Sequence, residues 1–393
     1  MTNDISIHDH AKLTRCRQAP ARGPATLFFS GGTALRQVSR RLIQTTHNSV
    51  HIVTPFDSGG SSAELRKAFH MPAVGDLRNR LAALMDTRIK GIPELSRLVT
   101  SRLPRDKPGS EALQELEAIL SGSHVLVREL AEPARQAVLQ HLSLFNRRRP
   151  ADFDLRGASL GNLILTGAYL ELGRRLEPAL RFYSEMAAVR GSVHPVLDDS
   201  LHLAARLENG QTVFGQHRLT GKEAPPIQSP IVDLVLNAAE DRDSPVQRAI
   251  SADLQDDIAR ADLICFPMGS FFTSLMATLL PAGLGRAVAR ASCLKIYVPS
   301  TGCDPETFGL SLAGQIERLT RQLLADCPEG TAAGDVLDLV VLDRDRSHYS
   351  GDLSEAWLSE MGLRKVDCEL VTPWSHPLID PDRLIEVLIS LAA

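Results

Sequence analysis

Residues 25–42, ATLFFSGGTALRQVSRRL, decide how the chain is read. ATLFF is an unbroken apolar run, as expected of a strand covered on both faces. Two glycines end it, and TALRQVSRRLIQ then repeats apolar residues at helical spacing. The unit recurs at SVHIVTP (49–55), which reads as a second strand and runs into FDSGGSSAELR (56–66). Two backbone-permissive loops therefore follow two strands in close succession. Either both are plain tight turns, or both belong to one sheet edge and hold one anionic ligand.

The alternation resumes in the second half. PIVDLVL (230–236), DLICF (262–266), CLKIYVP (293–299), VLDLVVLD (336–343) and KVDCELV (365–371) read as strands. VQRAISADLQDDIARA, TSLMATLL, LSLAGQIERLTRQLLA, EAWLSEM and PDRLIEVLISLAA read as the helices between and after them. This pattern predicts an α/β doubly wound fold, a mostly parallel sheet with helices on both faces. Residues 88–150, rich in Leu, Ala, Arg and Glu, read as a helical insertion. SLGNLILTGAYLELGRRLEPALRFYSEMAA (159–188) reads as one long helix or two end to end. Residues 191–220 contain Asn209-Gly210 between two runs of period-two character, the signal of an added β-hairpin with a type I′ turn. DCPEGTAAGD and TGKEAPPIQSP read as surface loops. The expected organisation is a polar, flexible leader over 1–24 and a single α/β domain over 25–393.

Composition limits the function. The chain has 393 residues, 44% apolar and 23% charged, with a formal net charge of -4. That balance offers no bulk attraction to nucleic acid or to an anionic membrane. Aromatic residues at 5% leave little for stacking bases. No apolar stretch is long enough to span a bilayer. The six cysteines are scattered without a C-x-x-C pair, which suits reduced thiols in a cytoplasmic protein and disfavours a zinc site.

In an open parallel sheet, ligands sit beyond the carboxyl ends of the strands. Those positions hold Ser30-Gly31-Gly32-Thr33, Asp57-Ser58-Gly59-Gly60-Ser61-Ser62, Gly269-Ser270 with Thr273-Ser274, and Ser300-Thr301-Gly302. Small, hydroxylic, glycine-containing loops expose backbone N–H groups and suit phosphate. Gly32, at a loop tip, is expected to allow close approach of a phosphate. Walker A, G-x-G-x-x-G, G-x-S-x-G and H-E-x-x-H patterns are absent. Asp57 heads its loop and could cap its own turn or, with Asp76, hold Mg²⁺ against phosphates. Asp76, near Arg78 and Asn79, could instead be a helix N-cap. Gly161 and Asn162 interrupt an apolar helix start, either to read a ligand edge or to pack helices.

Taken in order, SGGTALRQVSRRL, VTPFDSGGSSAELRKAFHMPAVGDLRNRLAALMD, RGASLGNLILTGAY, ADLICFPMGSFFTSLMATLLPAGL and SHPLIDPDRL resemble the CofD/YvcK family (UPF0052). Its members include the 2-phospho-lactate transferase of deazaflavin coenzyme synthesis and YvcK-type gluconeogenesis factors that bind UDP-sugars. The second block is similar to the YvcK type over its whole length. The resemblance implies a Rossmann-like fold. It implies a nucleotide diphosphate or nucleotide-sugar ligand near Gly31, Gly32, Thr33, Asn162, Gly269, Ser270, Thr273 and Ser274, and Ser61, Ser62, Arg78, Asn79 and Gly161 complete the set expected to bind nucleotide or phosphate. For transferase members it implies Mg²⁺ and a small-molecule acceptor near Asp57 and Asp76, as catalytic and metal-holding residues. A homodimer is the assembly expected. This chain departs from the family pattern at Ala34 (for glycine), Ser58 (for a second aspartate), Pro267-Met268 (for Gly-Pro) and Gly314-Gln315 (for a histidine motif). Two readings follow: transfer of a phosphate-linked group to an acceptor hydroxyl, or non-enzymatic binding of a nucleotide sugar.

Overall fold

In the computed structural model, which describes residues 7–221 and 224–393, the opening stretch forms strand β1 (Thr26–Ser30) and helix α2 (Arg36–Leu42). Every residue of β1 is buried. Leu27 and Phe29 pack into the core on one face of the sheet, and Phe28 into the core on the other. β1 pairs in parallel with β2 (Val50–Val53), which pairs in parallel with β3 (Ser192–Pro195). On its other side β1 pairs in parallel with β7 (Leu263–Phe266). β8 (Leu294–Tyr297), β9 (Leu339–Asp343) and β10 (Arg364–Cys368) continue the sheet in the order β10-β9-β8-β7-β1-β2-β3. The sheet is parallel throughout, so its strands read as near-continuous apolar runs. Connections from β1 travel one way and those from β7 the other, which leaves a crevice between them.

Several features differ from the sequence expectation. β3 falls within the region 191–220 read as a hairpin, yet it pairs in parallel with β2 in the main sheet. PIVDLVL is not in the main sheet. It forms β6 (Ile231–Asn237), antiparallel to β4 (His202–Leu207), which pairs with β5 (Thr212–Phe214) in a separate three-stranded sheet. The hairpin turn is not type I′. Gly210 has φ +85 while Asn209 stays out of the left-handed region, and its Oδ1 accepts from Gln211 N at 3.0 Å. A longer loop with one left-handed glycine needs no second positive φ. The polar N-terminal stretch holds helix α1 (His10–Gln18), whose Leu13 and Cys16 are buried in the same core as the last helix. Of the expected leader, residues 1–6 lie outside the described residues, as do Lys222 and Glu223 of the TGKEAPPIQSP loop.

A helical layer covers β2 and β3. It comprises α3 (Gly60–Phe69), α4 (Gly75–Ala83), α5 (Ile92–Thr100), α6 (Gly109–Leu120), α7 (Val125–Arg128), α8 (Ala134–Arg148), α9 (Leu160–Glu171) and α10 (Leu176–Met186). The long apolar segment is thus two helices, with Gly173 and Arg174 at positive φ between them. The remaining helices are α11 (Gln216–Leu219), α12 (Ala252–Ala259), α13 (Leu284–Arg290), α14 (Leu312–Leu324), α15 (Ala333–Val336), α16 (Glu355–Glu360) and α17 (Pro381–Leu391). After β7 the chain makes a π-helical segment, Phe271–Met276, where an α-helix is expected from sequence. Among the described residues, no helix is long and apolar enough to cross a membrane.

Candidate functional site

A cavity of about 1030 Å³ opens at the carboxyl edge of the sheet. It is of the size that holds a small-molecule ligand. The loop after β1 contributes Gly31, Gly32 and Thr33, and the loop after β2 contributes Asp57, Ser61 and Ser62. The loop after β7 contributes Gly269, Ser270 and Ser274, and the helical layer adds Asp76, Arg78, Asn79 and Asn162. Residues as far apart in sequence as Gly31 and Ser274 thus line one cavity.

Two expected residues stand outside it. A Cβ at Gly161 would lie 2.4 Å from Val99 O and 2.9 Å from Arg78 Cδ, so this glycine lets α9 approach α5 and α4. Thr273 is fully buried and turned to Glu306. Its N–H donates to Glu306 Oε2 at 2.8 Å and its hydroxyl donates to Oε1, while Phe272 N donates to Oε2 at 3.0 Å. Glu306 is also buried, and burial first, then the Asp304 charge, pushes its carboxyl up to about 7. It holds the first turn of the π-helical segment, and so the backbone between Ser270 and Ser274.

Asp76 is not the N-cap of α4; Val74 holds that position. Its carboxylate faces the β1 loop, with Thr54 Oγ1 3.4 Å from Oδ2. Burial pushes Asp76 up to about 7, and the Asp57 charge adds to it; Arg80, Thr54 and the Gly32 N–H act in the opposite direction. Arg80 is fully buried and donates to Gly31 O at 2.8 Å and to Ser30 Oγ at 3.2 Å. It fixes the β1 loop from below.

Gly32 has a different reason from the one expected. A Cβ there would stand 2.2 Å from Asp76 Oδ1 and 2.9 Å from Asp76 Cα. The close neighbour is helix α4, and the missing side chain admits Asp76 to the loop. Gly32→Ala is therefore expected to displace α4 or the loop and to cost about 1–3 kcal/mol of stability, as overpacking does. Chemical denaturation measures this, and an unchanged midpoint would mean that the loop has room to spare.

Asp57 does two things at once. Its Oδ1 accepts from Gly59 N at 3.1 Å, capping its own turn. Its Oδ2 lies 2.8 Å from where a Cβ of Gly75 would be, so it stands beside the start of α4 and next to Asp76. Among the described residues no group of three or more His, Cys, Asp or Glu side chains is placed to hold a metal. Two neighbouring carboxylates, one with its charge disfavoured by the other, fit Mg²⁺ that takes its remaining ligands from phosphate and water.

Ser58, where the resemblance would put a second aspartate, is buried beneath His217 of α11. Its Oγ lies 2.8 Å from His217 Nδ1 and accepts from His217 N at 3.2 Å. His217 itself lines the cavity, as do Arg102 and Arg105. Sequence reasoning missed these three, and missed Arg80 and Glu306. Arg80 lay in the GDLRNR run, two positions beyond Arg78 on the same helix. The others come from segments with no motif.

A profile of the 2-phospho-L-lactate transferase CofD family matches residues 27–372. A putative gluconeogenesis factor of Thermoanaerobacterium thermosulfurigenes is 30% identical over 301 residues, covering 76% of this chain and 74% of that protein. The gluconeogenesis factor of Bacillus subtilis is 29% identical over 301 residues, 76% of this chain and 75% of that one. A putative gluconeogenesis factor of Clostridium acetobutylicum is 28% identical over 303 residues, and this chain spans about half of it, 54%. A crystal structure of a UPF0052-family protein from Bacillus halodurans superposes with a TM-score of 0.66 over 93% of this chain and 99% of that one, at 21% identity, a likeness of fold.

Proposed function

This chain belongs to the CofD family, and from that premise we propose that its cavity binds a nucleotide diphosphate conjugate and transfers a phosphate-linked group to an acceptor hydroxyl. The observation that carries the reading is the convergence of the glycine loops after β1 and β7 with Asp57 and Asp76 at one switch point of the sheet. In the transfer, the acceptor oxygen forms a bond to the distal phosphorus and the bridging P–O bond breaks. The nucleoside monophosphate leaves with the electron pair of that bond, and the acceptor hydroxyl releases its proton to water.

The residues act by position and charge. The Gly31 and Ser270 ends of the two turns face the phosphate oxygens, since Gly32 N–H is held by Asp76 and Gly269 N–H donates to Ser300 Oγ at 3.0 Å, and Arg80 and Glu306 keep those two turns in place. Asp57 and Asp76 would hold Mg²⁺, which neutralises charge on the phosphates when bound. Arg78 and Asn162, joined by an Nε–Oδ1 hydrogen bond of 3.0 Å, offer a further polar wall.

A second reading is a non-enzymatic nucleotide-sugar-binding regulator. It is favoured by Ser58, which turns to His217 where a carboxylate would face the ligand.

Thermal shift with GDP, UDP, UDP-glucose and guanosine, each with and without Mg²⁺, tests the binding. Diphosphates are expected to raise the melting temperature well above the effect of guanosine, since ligand binding stabilises by mass action. Equal shifts would reject the phosphate cradle. Asp57→Asn separates the two readings. A transferase should lose Mg²⁺-dependent binding and all product in mass spectra. A regulator should bind as before, because asparagine can still cap the turn.

A further inference from the structure

The small antiparallel sheet carries α11 to the cavity, where Gln216, His217 and Thr220 line it. The attachment is firm. Gly215 N donates to Leu203 O of β4 at 2.8 Å, and Leu219 of α11 is buried in the core. Arg66 of α3, itself buried, donates from Nη2 to Leu201 O at 2.6 Å and from Nη1 to Phe56 O and Asp57 O, both at 3.3 Å. It ties the lead into β4 to the loop that carries Asp57.

Ser58 is the second tie, and it fixes where the His217 proton sits. Its Oγ accepts from His217 N at 3.2 Å and lies 2.8 Å from His217 Nδ1. Among the described residues the Ser58 hydroxyl has no further hydrogen bond, so its own proton goes to Nδ1. The opposite arrangement, Nδ1–H donating to Oγ, would leave a buried hydroxyl proton without an acceptor, which is costly. Nδ1 is therefore the accepting nitrogen, and the neutral ring carries its proton on Nε2. Gly215, at φ +87, closes another side, since a Cβ there would lie 3.1 Å from both Nδ1 and Cε1. Nε2, across the ring from Ser58, makes no hydrogen bond among the described residues and is left to the cavity. Ser58 itself is not placed as a nucleophile, because its oxygen is only 6% exposed at the residue level and is engaged twice by His217.

We propose that His217 is a ligand-binding residue whose Nε2–H donates to a phosphate oxygen beside Asp57, with Ser58 as the positioning residue that sets its tautomer. The proposal rests on the phosphate reading of the cavity and adds to it a residue outside every glycine loop. The loop after β2 thus meets the ligand with a carboxylate at Asp57 and, one residue on and through Ser58, with a neutral donor. A phosphate oxygen at this place is held by the protein itself, whether or not Mg²⁺ is bound.

Two measurements near pH 8, where an ordinary imidazole is neutral, test this. Long-range proton–nitrogen NMR of the ligand-free protein distinguishes protonated from bare ring nitrogens, and His217→Gln identifies the His217 signals by their loss. Nδ1 is expected bare and Nε2 protonated, with Ser58→Ala moving the ring toward the other tautomer. Calorimetric titration of GDP and of inorganic pyrophosphate, each with and without Mg²⁺, then compares the wild type with two variants. His217→Phe keeps a ring without a donor, and His217→Gln has an amide that donates from a similar reach. Affinity for both ligands is expected to fall about tenfold in His217→Phe and to stay within about threefold in His217→Gln. A proton on Nδ1 in the wild type, unchanged affinity in His217→Phe, or an equal loss in His217→Gln overturns the proposal, and the nucleotide reading survives if GDP binds. If GDP fails to bind the wild type while pyrophosphate binding depends on His217, the nucleotide reading falls and the donor stands. If neither ligand binds, both fall.

Discussion

Glu306→Ala is expected to lower stability by about 3–5 kcal/mol and to abolish nucleotide binding in whatever remains folded. Glu306 accepts two backbone N–H groups and one hydroxyl at the head of the π-helical segment. Alanine leaves Phe272 N, Thr273 N and the Thr273 hydroxyl buried without partners and opens a void beside Phe272. Ser270 and Ser274 flank these donors, so the β7 side of the cradle loses its shape. Glu306→Gln is the control. Its amide oxygen can take both N–H groups, and its NH₂ can donate to the Thr273 hydroxyl.

The sign of the pH effect separates the two variants. The Glu306 carboxyl is raised to about 7 in the folded protein from an ordinary 4.5. A raised carboxylate binds its proton more tightly when folded, so its contribution to stability is full below 4.5 and is lost as pH rises through 7. Glu306→Gln should therefore be only slightly more stable than the wild type near pH 5 and clearly more stable near pH 8. Glu306→Ala should be less stable at both. Denaturant midpoints at the two pH values decide this; a Gln variant as unstable as Ala would show that the charge itself holds the segment.

Asp76→Asn is expected to stabilise the protein near pH 8 and to remove its Mg²⁺-dependent ligand binding. Burial and the Asp57 charge raise Asp76 to about 7 from 3.8, so ionisation costs stability between those values and above. Asparagine removes that charge and keeps an oxygen for the Gly32 N–H. Arg80 loses a favourable neighbour, which offsets part of the gain, but retains Gly31 O and the hydroxyls of Ser30 and Ser39. The net effect should be about 1–3 kcal/mol at pH 8, a rise of roughly 2–6 °C in melting temperature, smaller at pH 5, and absent only below 3.8. Ligand binding should respond in the opposite sense, with the Mg²⁺-dependent part lost at both pH values. A variant that is more stable and still binds ligand with the same Mg²⁺ dependence would remove Asp76 from the metal site.

Strand and loop identity were legible in the sequence because a parallel sheet buries both faces of its strands. TLFFS, LICF, LKIY and LVVLD can be nothing else without exposing apolar surface. The glycine and serine knots after them were legible as well, since turns at strand ends need permissive backbone. Strand pairing was not. IVDLVLN has the same apolar texture as a parallel strand, yet it joins the antiparallel sheet, because pairing depends on which edge is free and not on composition.

The sequence alone determined the fold class and the order of the loops, since these follow from periodicity and local turn chemistry; the residues expected at the site came from the family resemblance, and thirteen of the fifteen line the cavity. Tertiary structure decided what each does. It turned Thr273 inward to Glu306, gave Gly161 to helix packing, set Asp76 against Gly32, and brought in Arg102, Arg105 and His217 from segments without a motif. The physical reason is the same in each case. A polar group's role is fixed by its partner, and these partners lie tens to hundreds of residues away, where neither spacing nor propensity carries information about them.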